Sequence, residues 1–226
     1  MKIAIISAMK KEIEPFYDNI KDKKIKKYLD YEIHEGRIKD NDIIITFGGI
    51  AKVNTGIITT IINFLYPDID LLINIGISGG VKGKVKAGEI VFSSKMAYCD
   101  VNATPFGYAY GQVPDMPLFY EGDLSYFEDV LEMGKVGTIL SGDTFFTDLE
   151  KINSIINTHF SNDNVLALDM ETAAFGQCAY IYKIPFIAIR AISDVVGDEN
   201  QIGQYEDYNL IACNKICDAL NKILTR

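Results

Sequence analysis

The feature that most constrains this chain is a short apolar run, Leu71 to Ile75, broken only by Asn74 and ending at Gly76. A run of this length is typical of a strand that is buried on both faces of a sheet. Such a strand needs helices packed above and below it, so the run alone favours a layered α/β architecture.

Strand patterns and helix patterns alternate along the rest of the chain. Further strands are predicted at Lys2–Ser7, Tyr28–Gly36, Asp42–Phe47, Glu89–Ser93, Lys135–Leu140, Val165–Leu168 and Phe186–Ala191. Helices are predicted at Met9–Ile20, Val53–Leu65, Leu149–Thr158, Met170–Tyr182 and Tyr208–Leu224. The alternation predicts an α/β fold: a single domain over residues 1–226, with a mixed, largely parallel central sheet flanked by helices.

The charge balance excludes some classes of partner. The chain has 22 Lys and Arg against 31 Asp and Glu, a formal net charge of −9, whereas a nucleic-acid binder needs a surplus of basic side chains. Its one basic cluster, Lys21 to Lys27, is interpreted as a solvated connection. No stretch approaches the ~20 apolar residues of a membrane span, and the apolar start is soon cut short by charged residues. We therefore expect a cytoplasmic protein that binds neither nucleic acid nor membrane.

Cysteine, histidine and glycine give no sign of a metal or cofactor site. The four cysteines have no CxxC spacing and are interpreted as buried, reduced thiols, while the two histidines are interpreted as surface or packing residues. The segment Gly76 to Gly80 is predicted to be a turn, and it matches neither a dinucleotide fingerprint nor a P-loop. Its glycines would let the backbone approach a flat ligand closely.

Acidic side chains follow four of the predicted strands: Glu12, Asp143, the pair Asp169 and Glu171, and Asp194. In open α/β sheets, ligands bind beyond the carboxyl ends of the strands. Any one of these carboxylates could be only a helix cap. Because acidic residues follow four strands of the same predicted sheet, we expect an active site whose catalytic groups are carboxylates.

The segment from Asp100 to Tyr120 is a long Gly, Pro and aromatic stretch. Long loops in compact domains are usually functional, and exposed apolar residues in such a loop mark an interface or a ligand groove. We expect a homodimer in which this loop completes the active site of the partner; the alternative is a loop folded onto its own core.

Five strings in this sequence resemble a known family: Met9–Glu12, Phe106–Pro114, Ser141–Asp143, Asp169–Glu171 and Arg190–Asp194. They are similar to those of the bacterial 5′-methylthioadenosine/S-adenosylhomocysteine nucleosidases, in the nucleoside phosphorylase superfamily. The resemblance implies a nucleoside phosphorylase-like fold and hydrolysis of the N-ribosidic bond, with release of adenine and a 5-thioribose product. It implies no cofactor and a role in methionine salvage.

Hydrolysis of an N-ribosidic bond needs an acid for the leaving purine and a water activated by a base. Asp194 is the candidate acid, and because its free pKa of ~3.9 is too low, burial must raise it. The resemblance supports this role and implies that Glu12 is the base for the water. Arg190 would orient Glu12, Glu171 or the water. It could also form a buried salt bridge that holds the site together, and the two roles do not exclude each other.

The resemblance also implies the substrate contacts. Glu171 would accept hydrogen bonds from the ribose hydroxyls while Met170 packs on the sugar, and Phe145 and Phe146 would hold the adenine. The further expected contacts are Ile50, Ile77, Ser193, Phe106, Tyr108 and Pro114, with Phe106 and Pro114 lining the 5′-alkylthio pocket of the neighbouring subunit. Two positions depart from the family: Ile77 replaces its usual serine, and Asp169 replaces a longer acid.

Two other functional hypotheses remain open at this point. One is a phosphate-dependent nucleoside phosphorylase, or a nucleosidase for related substrates such as 5′-deoxyadenosine or aminofutalosine. The other is a nucleoside-binding protein without activity. Glu12 would repel phosphate and activate water, so the sequence favours hydrolysis.

Overall fold

The computed structural model describes residues 1–225 and has a ten-stranded mixed sheet at its centre. The strands are β1 (Lys2–Ser7), β2 (Lys21–Tyr28), β3 (Tyr31–Ile38), β4 (Asn41–Phe47), β5 (Leu71–Gly80), β6 (Ile90–Tyr98), β7 (Tyr120–Glu121), β8 (Lys135–Ser141), β9 (Val165–Asp169) and β10 (Phe186–Val195). The helices are α1 (Lys10–Ile13), α2 (Lys52–Leu65), α3 (Leu149–His159), α4 (Thr172–Tyr182) and α5 (Gln201–Leu224). The predicted α/β class, with a mixed central sheet flanked by helices, is confirmed.

The sheet closes on itself on one side and stays open on the other. Strand β5 pairs with β9 and β10, β10 pairs with β6, β6 with β8, and β8 with β9, so these five strands form a ring. Strands β1, β4, β3 and β2 extend from β5 in that order. Where the ring closes, Gly79 lies opposite both Leu168 of β9 and Asp194 of β10, so the carboxyl ends of three strands meet.

Strand β5 is buried on both faces, as its apolar run predicts. Ile73 and Ile75 pack in a cluster with α5, and Leu72 packs in a second cluster with α2 and α4. The four cysteines are free thiols and three of them are buried; Cys213 and Cys217 belong to the α5 side of the core. The helices on both sides therefore hold the strand that leads into the meeting point of the strand ends.

The interpretation of Lys21 to Lys27 as a connection is wrong, because these residues form most of the edge strand β2, which pairs with β3. All eight of its side chains are exposed. Both faces of the strand are exposed to solvent, so the sequence there lacks the alternation of apolar and polar residues that reveals a strand.

The predicted turn at Gly76 to Gly80 is also wrong: β5 continues through Gly80. The glycines allow neighbouring chains to come close, since a Cβ at Gly80 would lie 2.5 Å from Cγ2 of Val85. Strand β10 likewise extends to Val195, so Ser193 and Asp194 lie within the strand and not after it.

Two predicted helices differ by several residues from the observed bounds. The helix predicted at Met9–Ile20 is a single α turn, α1, followed by a 3-10 segment over Glu14–Asn19 with Pro15 in its first turn. Helix α5 begins at Gln201, well before the predicted start at Tyr208. This earlier start places its first turns beside the end of β10.

The long segment Asp100 to Tyr120 is irregular apart from a 3-10 turn at Thr104–Phe106 and the first residue of β7. Within residues 1–225, none of the helices has both the length and the apolar character that a membrane crossing would need.

Candidate active site

A cleft of about 600 Å³, its solvent-open mouth included, lies at the carboxyl ends of β1, β5, β9 and β10. Residues far apart in the sequence meet there. The predicted site residues that line it are Glu12, Ile50, Ile77, Phe145, Phe146, Met170, Glu171, Ser193 and Asp194.

Glu12 is buried at the start of the chain's first helical turn, and backbone groups fix its carboxylate. Oε2 accepts hydrogen bonds from the N–H groups of Ala8 (3.1 Å) and Met9 (2.8 Å), and Oε1 accepts one from Ile77 (3.0 Å). Burial raises the pKa of Glu12, while these donors act in the opposite direction. Ile77 contacts Glu12 through its backbone N–H, so the replacement of the family's usual serine by isoleucine leaves this hydrogen bond intact. Gly76 makes room, since a Cβ there would lie 2.9 Å from Oε1.

Asp169 and Arg190 form a buried ion pair under the cleft, with 2.9 Å between Oδ2 and Nε. Oδ1 of Asp169 also accepts a hydrogen bond from Oγ of Ser141 (2.5 Å), and the Arg190 guanidinium donates to the side chain of Asn74. The pair therefore connects β5, β8, β9 and β10. Arg190 does not line the cleft, and of the two roles considered for it the structure shows the buried salt bridge.

Glu171 occupies the N-cap position of α4, and its side chain reaches across to the loop before α2. Its Oε1 accepts a hydrogen bond from the backbone N–H of Ala51 (2.8 Å). Ala51 has a φ of +80°, a conformation that costs free energy for a residue with a side chain and is often held in place at functional sites. Burial, together with the neighbouring Asp169 carboxylate, raises the pKa of Glu171 to about 7.

Asp194 lies in β10 with 1% of its surface exposed. Oδ1 accepts a hydrogen bond from Oγ of Ser193 (2.6 Å), and Oδ2 accepts one from Nε2 of Gln201 (2.7 Å). Burial raises the pKa of this carboxyl group, although both donors lower it. A carboxyl group that keeps its proton more readily than a free aspartic acid is suited to the role of general acid.

The charged side chains that line the cleft are all acidic. Glu12, Asp169, Glu171 and Asp194 line it, and among the described lining residues there is no Lys, Arg or His. Carboxylates in a buried site stabilise a positive charge that develops on a bound molecule. They oppose the binding of a dianion such as phosphate.

Part of the cleft wall is apolar and aromatic. Phe145, Phe146 and Met170 line it together with Tyr205 from α5, which was not predicted. The rings of Phe145 and Tyr205 meet edge to face, with 5.6 Å between their centroids. A wall of this kind suits a flat ring, for which the acidic residues supply hydrogen-bond acceptors.

Three predicted residues lie away from the cleft of their own chain: Phe106, Tyr108 and Pro114 do not line it. All three belong to the long loop, and Phe106 is 82% exposed. Two of them, Phe106 and Pro114, are the residues that the resemblance associates with the pocket of a neighbouring subunit.

Other lining residues were missed by the sequence reasoning. Most contribute backbone or small apolar surface, for which no local pattern exists: Ala8, Met9, Ser78, Gly79, Thr144, Leu168 and Val196. Tyr205 could have been found if the start of α5 had been placed correctly, since it lies on an early turn of that helix. Among the described residues no group of three or more His, Cys, Asp or Glu side chains is arranged to hold a metal ion.

Comparisons with known proteins agree with this geometry. The family model of the phosphorylase superfamily matches residues 2–225. A 5′-methylthioadenosine/S-adenosylhomocysteine nucleosidase from a strain of Exiguobacterium is 37% identical over 208 residues, covering 88% of this chain and 87% of that protein. The fold is similar to that of a solved Streptococcus pneumoniae nucleosidase of the same name, which was determined with a transition-state inhibitor. The TM-score is 0.92 at 31% identity, and the alignment covers 100% of this chain and 99% of that one. A Streptococcus pyogenes S-adenosylhomocysteine nucleosidase in complex with 5-methylthiotubericidin has the same TM-score, 0.92, at 33% identity, covering 100% and 96%.

The buried ion pair leads to a prediction about stability. Arg190→Met should lower the free energy of unfolding by about 3–5 kcal/mol, because it leaves the Asp169 carboxylate buried without its counter-charge. The double variant Arg190→Met/Asp169→Asn removes that charge and should recover most of the loss. Urea unfolding followed by circular dichroism measures both. A single variant as stable as the parent protein would contradict this account of the pair.

Proposed function

Since this chain belongs to the 5′-methylthioadenosine/S-adenosylhomocysteine nucleosidases of the phosphorylase superfamily, we propose that it hydrolyses the N-ribosidic bond of these two nucleosides. The products are adenine and the corresponding 5-thioribose. The reaction needs the nucleoside and water, and the complete site needs a second copy of the chain. The free thiols fit a cytoplasmic location.

The observation that carries the proposal is the charge of the cleft: several buried carboxylates and no basic side chain among the described lining residues. Breaking a bond from the anomeric carbon to a purine gives the sugar oxocarbenium character in the transition state. Carboxylates in a site shielded from water stabilise that charge strongly, because they need not reorganise as it develops.

The acid acts on the purine. Asp194 donates its proton to N7 while the electron pair of the bond between C1′ and N9 moves into the ring, so adenine leaves as a neutral molecule. The raised pKa of Asp194 keeps the proton available until the bond breaks. The purine lies against Phe145 and Phe146, which line the same cleft.

The base acts on water. Glu12 takes a proton from a water molecule as its oxygen attacks C1′, and its three backbone donors hold the carboxylate in one orientation. A raised pKa makes Glu12 a stronger base than a free glutamate, which helps it to accept this proton. Glu171 would accept hydrogen bonds from the ribose hydroxyls.

Phosphate as the nucleophile is the second candidate, since the superfamily is named for phosphorylases. The direct test is adenine release from 5′-methylthioadenosine in phosphate-free buffer. We expect full activity without phosphate, no stimulation when it is added, and loss of activity in Glu12→Gln with nucleoside binding retained. Release that depends strictly on phosphate would replace the hydrolase with a phosphorylase.

A second prediction separates the acid from the base. Asp194→Asn should lower turnover of 5′-methylthioadenosine by about 10²–10⁴-fold, since it removes the proton donor. The same variant should keep most of its activity on a 4-nitrophenyl 5-methylthioriboside, whose leaving group departs without a proton. Glu12→Gln is the matched control and should lose activity on both substrates. Near-parental turnover of 5′-methylthioadenosine by Asp194→Asn would show that Asp194 is not the acid.

We also propose that the chain is a homodimer. Helices α2 and α4 share an exposed apolar surface that includes Val53 (71% exposed), Phe64 (75%) and Ile181 (50%). Lys52, at the start of α2, forms an ion pair with Asp100 at the start of the long loop (2.7 Å), so the loop begins beside this surface. Exposed apolar patches of this kind mark interfaces. In the dimer, Phe106, Tyr108 and Pro114 would reach the cleft of the partner and bind the 5′-alkylthio group.

The dimer predicts a mass in sedimentation near twice 25.2 kDa. Phe64→Asp should shift the protein toward the monomer because it places a charge in the apolar interface. Leu29→Asp, at an equally exposed leucine on the turn before β3, should leave the mass unchanged. Phe106→Ala should weaken binding of 5′-methylthioadenosine far more than binding of adenine. A fully active monomer would refute the shared site.

A further inference from the structure

The side chain of Gln201, the first residue of α5, is buried behind the Asp194 carboxylate. Its Nε2 donates to Oδ2 of Asp194 (2.7 Å) and to the backbone carbonyl of Phe146 (2.7 Å). Its Oε1 accepts a hydrogen bond from the backbone N–H of Gly197 (2.9 Å). One amide thus joins the candidate acid, the loop that carries the aromatic wall and the turn that follows β10.

The orientation of this amide is fixed by its partners. A backbone N–H can only donate, so the atom that faces Gly197 is the oxygen, and the nitrogen has to face the other two groups. Both hydrogens of Nε2 then meet an acceptor, so the amide is fully satisfied. Gly197 has a φ of +79°, and a Cβ there would lie 2.5 Å from Cβ of Leu149, so the turn that holds Oε1 depends on glycine.

Gln201 does not line the cleft, so its bond to Asp194 comes from the side away from the bound nucleoside. Ser193 holds Oδ1 while Gln201 holds Oδ2, so the carboxyl group cannot rotate without breaking a hydrogen bond on each oxygen. Each oxygen keeps a second lone-pair position for the purine: in the protonated acid one of these carries the proton, and the other can accept a hydrogen bond.

We propose that Gln201 is a positioning residue for the reaction: its amide locks the plane of the Asp194 carboxyl group and ties it to the backbone of Phe146. The acid and the aromatic wall then keep one mutual arrangement while the purine leaves. The inference rests on the proposed function, in which Asp194 protonates the purine.

Gln201 also affects how readily Asp194 gives up its proton. A donor to the carboxylate stabilises the charged form, so Gln201 lowers the pKa that burial has raised. The elements around the acid carry these other charged or titratable groups: Glu12 of α1, Asp169 and Glu171 at the β9–α4 junction, Arg190 of β10, Tyr205 of α5, and the Lys82–Asp198 ion pair beyond β10. Gln201 has no hydrogen bond to any of these, so Asp194 is the one group among them that loses a hydrogen bond when Gln201 is replaced.

The test compares Gln201→Met with the parent protein on 5′-methylthioadenosine. The acid must be protonated, so activity falls as the pH rises past its pKa, and the loss of a donor should move that alkaline limb up by about one pH unit. We expect kcat to fall by about 10–10²-fold because the acid is no longer held in place. KM should change little, and activity on a 4-nitrophenyl 5-methylthioriboside should be nearly unchanged.

Gln204 provides a matched control, since the same side chain on the same helix bonds to the N–H of Val195 and to Asp198 but not to Asp194. Gln204→Met should leave the alkaline limb in place. The proposal would be overturned if the alkaline limb of the pH profile stayed in place in Gln201→Met. It would also be overturned if the limb moved to lower pH because water entered a loosened site.

A titration of the Asp194 carboxyl carbon by ¹³C NMR, assigned with Asp194→Asn, gives a readout that needs no activity. Gln201→Met should raise the pKa of Asp194 there as well, and an unchanged pKa would count against the proposal. If the parent protein releases no adenine, the proposed function fails, while this titration still decides whether Gln201 controls the carboxyl group.

Discussion

The ion pair between Asp169 and Arg190 is the interaction on which the rest of the site depends. Both side chains are buried, so each needs the other: a lone charge at either position would lack both water and a counter-ion. Asp169 ends β9 and Arg190 lies in β10, and Ser141 of β8 and Asn74 of β5 complete the group. The pair thus connects four strands of the ring just below the cleft.

Above this pair lie the two carboxyl groups to which we assign opposite roles in the proposed reaction. Glu12 receives three backbone N–H donors, whereas Asp194 receives one hydroxyl and one amide, and both are buried. The reaction needs one group to hold a proton and the other to accept one at the same pH, and separate sets of donors allow this. No basic side chain stands among the described lining residues, so Glu12 and Glu171 face the cleft without a lysine, arginine or histidine of the lining between them and a developing sugar cation.

The sequence revealed the parts of this arrangement that have local patterns. The apolar run at Leu71–Ile75 predicted the buried strand, and acidic residues after strands predicted where the site lies. The run of lysines in β2 was wrongly interpreted as a connection, because an edge strand that is exposed to solvent on both faces has no alternation of apolar and polar residues. The partner of Arg190 and the role of Gln201 could not be predicted, since both depend on contacts between residues distant in sequence or on the exact start of α5.

The ring has a consequence for how this protein behaves at high concentration. Five strands close on one another, so, apart from the two-residue β7, the sheet offers one long free edge for another chain to add to, namely β2. That edge carries Lys21, Lys23, Lys24, Lys26 and Lys27, and a second copy that approached it would meet the same charges. Repulsion between lysines is a common protection against the stacking of sheets into fibrils. The basic segment of this acidic chain therefore favours solubility, and neutralising its lysines by acetylation would remove that protection.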